Sequence, residues 1–249
     1  MLNQFMPLSI VGALVIFSAA ATPKRPPSPL LPNGLPRQSE DKKTAAIGKK
    51  APVFELQDQH GKTHKLVDYK GKVVVLEWFN DKCPICKNVW DSGLIDTLVA
   101  DLKNLCQNPS DSQLPSVVYL AMNSTANRPF EEVLKSGAEF IEEAEVEIPM
   151  LMDYDGKVGK SYGARTTPHM FILDTEGVLV YQGALCDGPR NFEGKEAETH
   201  VMRVIRQLIN GEEILPSYVQ PWGCSVKYSK VSQADGTKRP RRPRRPQRP

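Results

Sequence analysis

Between Val73 and Cys86 the chain passes from four consecutive apolar residues, three of them β-branched, through Glu77, Trp78 and Phe79 to the polar Asn80-Asp81-Lys82. Cys83-Pro84-Ile85-Cys86 follows at once. The apolar run reads as a strand buried on both faces. The segment after Cys83 has helical spacing, and Pro84 suits a first helical turn because its missing N–H would be unpaired there anyway. A Cys-x-x-Cys at a strand-to-helix junction places a thiol against unpaired N–H groups and the positive end of a helix dipole. That field stabilises a thiolate, and only the thiolate attacks a disulfide.

The 249 residues suffice for one domain and extensions. Net charge is +3, but the residues from Lys238 onward carry seven positive charges and no negative ones. The remainder sums to −4, so the body has no basic surface of nucleic-acid type and no nucleic-acid partner is expected. Five cysteines are present. Beyond the CxxC, Cys106, Cys186 and Cys224 stand alone, and no Cys/His spacing points to structural zinc.

Residues 1–21 read as a targeting segment. Pro7 to Ala21 is an almost unbroken apolar run closing on the small residues Ser18-Ala19-Ala20-Ala21. A cleavable signal peptide and an uncleaved N-terminal membrane anchor are the two alternatives. Either one places the body outside the cytoplasm, periplasmic or secreted, where disulfides persist. Residues 22–46 are a Pro-rich linker. The folded domain is expected over 47–210, a C-terminal extension packed on it over 211–231, and a disordered Arg/Pro tail over 232–249.

Within the domain, Val53–Leu56 and His64–Val67 flank a turn as short strands, and 73–79 is the central strand. A helix is expected from Pro84 to about Cys106, with Gly93 as a kink. A strand over 117–122 precedes a helix starting at Asn127-Arg128-Pro129, with Phe130, Val133, Leu134 and Ile141 on its inner face. An extended piece at 148–153 and a helix over 156–162 lead to two strands, 170–173 and 178–182, joined by a hairpin turn at 174–177. A last helix spans about 195–210. Alternating strands and helices followed by a hairpin argue for an α/β sandwich with a mixed sheet.

Two stretches carry a family resemblance. One is the strand-CxxC-helix unit. The other runs from Ile148-Pro149-Met150-Leu151-Met152-Asp153 through Asp155-Gly156-Lys157-Val158 to Thr166-Thr167-Pro168-His169-Met170-Phe171-Ile172-Leu173-Asp174. Over about residues 47–210 the chain resembles the thioredoxin superfamily, specifically its exported redoxin, peroxiredoxin-like branch. The resemblance implies a thioredoxin-like fold: a central mixed sheet flanked by helices, with an N-terminal hairpin and a C-terminal extension. It also implies a thiol–disulfide oxidoreductase without metal or organic cofactor. Its partners would be protein or small-molecule thiols and disulfides, together with a redox partner protein.

By that resemblance Cys83 matches the nucleophile and Cys86 the resolving thiol. Pro168 matches the cis-proline, whose preceding residue, Thr167, pairs with a substrate strand. Glu77 stands where thioredoxins carry a buried acid. Strand alternation turns it towards the helix-covered side beneath Cys86, where burial raises a carboxyl pKa and suits it to take the resolving thiol's proton. The competing reading is an acid that reaches solvent. Trp78 reads as core packing. His169 is either a neighbour tuning thiol acidity or a packing residue, and His60, His64 and His200 read as surface residues.

Cys106 lies roughly 30 Å along its helix from the active site and reads as a buried thiol. Cys186 is expected near the active-site end of the sheet. Cys224 sits in a Gly-Cys-Ser-Val-Lys-Tyr run resembling tails of bacterial redoxin-like proteins. Three alternatives stand for this pair: a Cys186–Cys224 disulfide clamping the extension, Cys224 as a third redox thiol, or two unpaired cysteines. Two rival functions stand beside the oxidoreductase. A peroxiredoxin-like peroxidase would want Thr or Ser three residues before the cysteine and Pro further upstream, where this chain has Asn80 and Leu76. A non-enzymatic binding module would use the Arg/Pro tail as a weak polyanion contact.

Overall fold

The computed structural model describes residues 44–107, 115–188 and 198–229, with the side chains of Cys106 and Gln107 excepted. The expectations for the targeting segment, most of the linker, the Arg/Pro tail and the Cys106 thiol lie outside them. Among the described residues no helix is long and apolar enough to cross a membrane.

Strand β3 (Val73–Trp78) is buried at every position. It accepts neighbours on both edges. β4 (Val117–Asn123) runs parallel to it with Val73 opposite Val117, and β7 (His169–Leu173) runs antiparallel with Trp78 opposite His169. β5 (Met150–Met152) extends the sheet beyond β4, while β8 (Leu179–Gly183) extends it beyond β7. The outer strand β9 (Tyr218–Val219) comes from the C-terminal extension and pairs parallel with β8, giving a six-stranded mixed sheet. β1 (Glu55–Gln57) and β2 (Thr63–Lys65) form the N-terminal hairpin. A separate two-stranded pairing joins β6 (Thr166–Thr167) to β10 (Cys224–Ser225).

The two faces of β3 follow its alternation. Val73 and Val75 pack with α1 (Pro84–Asp91), α2 (Leu94–Gln107), α3 (Phe130–Glu143) and α5 (His200–Ile209). Val74, Leu76 and Trp78 pack with Tyr162 of α4 (Lys157–Tyr162), Phe54 and Leu66. This is the expected α/β sandwich, with parallel neighbours linked through helices as their geometry requires.

Several local expectations need correction. The helix after Cys83 is two helices rather than one kinked helix. Gly93 adopts φ +76°, and Ser92 Oγ accepts the Leu94 N–H that opens α2. A left-handed residue ends a helix rather than bending it. The second hairpin strand stops at Lys65, and Leu66–Tyr69 form a 3-10 turn. The last helix starts at His200, not near 195, because Thr199 Oγ1 caps it by accepting the Met202 N–H at 3.1 Å. Phe130 is 39% exposed and packs edge-on against Tyr154 instead of entering the core. His64 is buried, not at the surface: β2 turns it inward, where Nε2 meets Asp58 Oδ2 at 2.8 Å and Nδ1 meets the Tyr69 hydroxyl. His200 is also partly covered, with Nε2 3.3 Å from Asp187 Oδ1.

Candidate active site

Cys83 is the residue on which α1 starts. Its backbone is extended, and its Sγ accepts the Cys86 N–H at 3.5 Å, so the thiol itself caps the helix. The Asn80–Lys82 turn aims it there: Asn80 Oδ1 accepts the Lys82 N–H, and Asn80 O accepts the Cys83 N–H. Across from Cys83 stands the cis peptide Thr167-Pro168, with Thr167 O 3.3 Å from the sulfur. The structure thus brings together Cys83, Cys86, Thr167 and Pro168, from segments some 80 residues apart.

Hydrogen bonding from Cys86 lowers the Cys83 thiol to about 4 against the opposing effect of burial, with smaller lowering contributions from Cys224 and Thr167. The Thr167 carbonyl works the other way, since it accepts only from the protonated thiol. Cys86 is fully buried, and desolvation, Cys83 and Glu77 all push its thiol well above the ordinary range. The pair is therefore polarised into an upper thiolate and a lower protonated thiol.

Glu77 lies wholly inside the protein, on the helix-covered side of β3. Tyr119 Oη donates to its Oε2 at 2.7 Å, and Trp90 Nε1 donates to its Oε1 at 3.2 Å. Burial raises the carboxyl to about 7, and these two hydrogen bonds limit the rise. Its influence on Cys86 places it within electrostatic reach of the lower sulfur. The solvent-reaching alternative for Glu77 is excluded. Sequence reasoning missed Trp90 and Tyr119. Trp90 is one helical turn past Cys86, and Tyr119 shares the inward parity of its strand, so parity alone could have nominated both.

Trp78 is core, its Nε1 donating to Ser124 Oγ at 2.9 Å. His169 is buried against Phe171 with ring centroids 4.4 Å apart, and its Nδ1 accepts the Arg165 N–H. Burial depresses its imidazole to about 3, so the ring is a neutral packing group rather than an acid. Cys186 and Cys224 are both unbridged. The clamp disulfide is absent because the two face different partners. Cys186 Sγ donates to Gly188 O, whereas Cys224 lies opposite Thr167 in β10.

A groove of about 410 Å³ opens on the other side of Cys83, bordered by Asp81, Lys82, Pro84, Lys87 and Phe140. Its rim is held by an ion pair between buried Asp81 and half-buried Arg128. Arg128 Nη2 donates to Asp81 Oδ1 at 2.7 Å, and Ser136 Oγ donates to Asp81 Oδ2 at 2.7 Å. Among the described residues no cluster of His, Cys, Asp and Glu is arranged to hold a metal.

A family model described as Redoxin matches residues 46–199. Thiol-disulfide oxidoreductase ResA of Geobacillus thermodenitrificans is 28% identical over 137 residues, which is 55% of this chain and 68% of that protein. Peroxiredoxin Bcp of Bacillus subtilis is 52% identical over 44 residues, which is 17% of this chain and 28% of that one. The crystal structure of a hypothetical protein from Sinorhizobium meliloti superposes with a TM-score of 0.60 at 24% identity, covering 75% of this chain and 97% of the other. That likeness speaks for the fold alone.

Proposed function

Since the chain belongs to the Redoxin family, within the thioredoxin superfamily, we propose that it is a thiol–disulfide oxidoreductase acting through Cys83 and Cys86. The observation that carries this reading is the geometry: Cys83 Sγ caps the start of α1 and lies 3.3 Å from Thr167 O of the cis Thr167-Pro168 peptide, with Cys86 and Glu77 fully buried behind it. The Cys83 thiolate attacks one sulfur of a substrate disulfide, forming a mixed disulfide and expelling the first substrate thiolate. Cys86 then gives its proton to Glu77 and attacks Cys83 Sγ. The second substrate thiolate leaves, and the protein holds a Cys83–Cys86 disulfide. Run backwards, the same steps oxidise a dithiol. Thr167 pairs with Cys224 of the chain's own β10 rather than standing free for a substrate strand, so the substrate reaches Cys83 from the groove bordered by Asp81, Pro84 and Phe140. The apolar run ending at Ala21 supports placing this chemistry outside the cytoplasm.

The test sets two activities side by side. Reduced protein is expected to reduce insulin disulfides in the presence of dithiothreitol, with activity lost in Cys83→Ser. Hydrogen peroxide consumption is expected at the rate of an unassisted thiol, because Asn80 is engaged by the Lys82 N–H in place of a hydroxyl donor beside the sulfur. Rapid, Cys83-dependent peroxide turnover without insulin reduction would replace this reading with a peroxidase.

A further inference from the structure

The extension after α5 does more than cover the domain. It crosses from the sheet edge to the far side of the active site, tied down at each step. Val219 O accepts the Ala184 N–H, and Trp222 Nε1 donates to Cys186 O at 2.8 Å. Past the site, the Val226 N–H donates to Arg165 O, the Ala126 N–H to Lys227 O, and Tyr228 Oη to Ala164 O at 2.8 Å. Between these ties, β10 lies antiparallel on β6 with Cys224 directly opposite Thr167, whose Oγ1 donates to Cys224 O. Thr167 is also the residue whose carbonyl touches Cys83. Gly223 allows the approach: at φ +122° its Cα faces Thr167 O so closely that a Cβ would collide with it.

We propose that Cys224 is a third redox-active thiol of this site, which takes Cys83 from Cys86 to form a Cys83–Cys224 disulfide. The proposal rests on Cys83 being the nucleophile. The chain's own strand occupies the edge beside the cis peptide, and it carries a cysteine at the position opposite Thr167. Cys83 and Cys224 perturb each other's thiol acidity, lowering the pKa of Cys83 and raising that of Cys224, as two sulfurs on either side of Thr167 would. Cys186, by contrast, is fully covered and engaged with Gly188.

The step is a thiol–disulfide exchange that needs no outside oxidant. Starting from Cys83–Cys86, the Cys224 thiolate attacks Cys83 Sγ. The Cys83–Cys86 bond breaks, Cys86 leaves as a thiolate and takes a proton from Glu77, and Cys83–Cys224 forms. The exchange moves one sulfur of the disulfide from the fully buried Cys86 to the less covered Cys224. Cys83 and Cys86 are 2% and 0% exposed, whereas Cys224 is partly exposed. An external thiol can then attack Cys224 Sγ and expel Cys83, whose stabilised thiolate is the better leaving group.

The test uses the full chain with Cys86→Ser, treated with oxidised glutathione and mapped with trypsin without reduction. Glutathione adds to Cys83, and Cys224 is expected to displace it, joining peptide 83–87 to peptide 207–227. Glutathione retained on Cys83 with Cys224 free overturns this proposal and leaves Cys83 as the nucleophile. No adduct and no link at Cys83 overturns the function proposed above together with it. Adding Gly223→Ala to the same protein should lower the linked peptide about tenfold, because a side chain at that φ is strained and unseats the strand. Unchanged linkage in the double variant refutes the role of the β6–β10 register.

Discussion

Glu77→Gln separates a titrating carboxyl from a merely buried one. The folded protein holds this group at about 7 against a reference of 4.5. Below pH 4.5 it is protonated whether the chain is folded or not, and its burial carries no charge penalty. Between 4.5 and 7 the unfolded chain ionises first, so the folded state binds more protons and stability falls as pH rises. At about 1.4 kcal/mol per pH unit the full loss is about 3 kcal/mol above pH 7, and about 2–3 kcal/mol of it accrues between pH 5 and pH 8. The Gln variant has no such loss. Its amide oxygen can accept from Trp90 Nε1 while its NH2 donates to Tyr119 Oη, and whatever this rearrangement costs does not change with pH and cancels in the comparison. Urea unfolding of the reduced wild type and variant at pH 5 and pH 8 therefore isolates the carboxyl. Relative to wild type, the variant should gain about 2–3 kcal/mol on going from pH 5 to pH 8. Two pH profiles that run parallel would mean that Glu77 does not titrate in this range, and it could not serve as the proton acceptor for Cys86.

Acid titration of the reduced protein, followed by thiolate absorbance at 240 nm, should show a step with its midpoint near 4 that is missing from Cys83→Ser. A step above pH 7 would mean that the start of α1 does not stabilise the Cys83 thiolate. Arg128→Ala should cost about 2 kcal/mol in urea unfolding, because it removes the nearer cation from the buried Asp81 carboxylate and leaves it with Lys82 Nζ at 3.7 Å. Ser136→Ala removes one neutral donor to the same carboxylate and should cost about 1 kcal/mol. Equal effects of the two substitutions would show that the Arg128–Asp81 pair contributes no more than the Ser136 hydrogen bond.

What could be read from the sequence was whatever lay within one element or followed from its period. Val73 to Leu76 had to be central because no solvent-facing residue interrupts them. Cys83 and Cys86 had to meet because three helical residues make about one turn. Glu77 had to point under the helix because parity along a strand leaves two choices, and Val73 and Val75 share its face. The errors arose where a contact made only in the folded chain decides, whether its partner is near or far in sequence. His64 looked polar and exposed in sequence, yet Asp58 and Tyr69 meet it once the first hairpin closes. Trp90 and Tyr119 reach Glu77 only when helix and strand are packed together.

The extension shows the limit most sharply. Spacing alone left Cys224 free to pair with Cys186 or to face the CxxC, since both lie at the same end of the sheet. The choice is made by register, and register comes from ties spread along the whole segment. Trp222 anchors to Cys186 O, Gly223 passes where no side chain fits, and Val226 and Tyr228 fasten the far end to Arg165 and Ala164. A one-residue slip would reverse which side chains face the site. It would also bring Cys224 or Trp222 against Thr167 O, where only Gly223 is tolerated. The glycine therefore fixes the cysteine's address, and the thiol that faces Cys83 is set by a residue with no side chain.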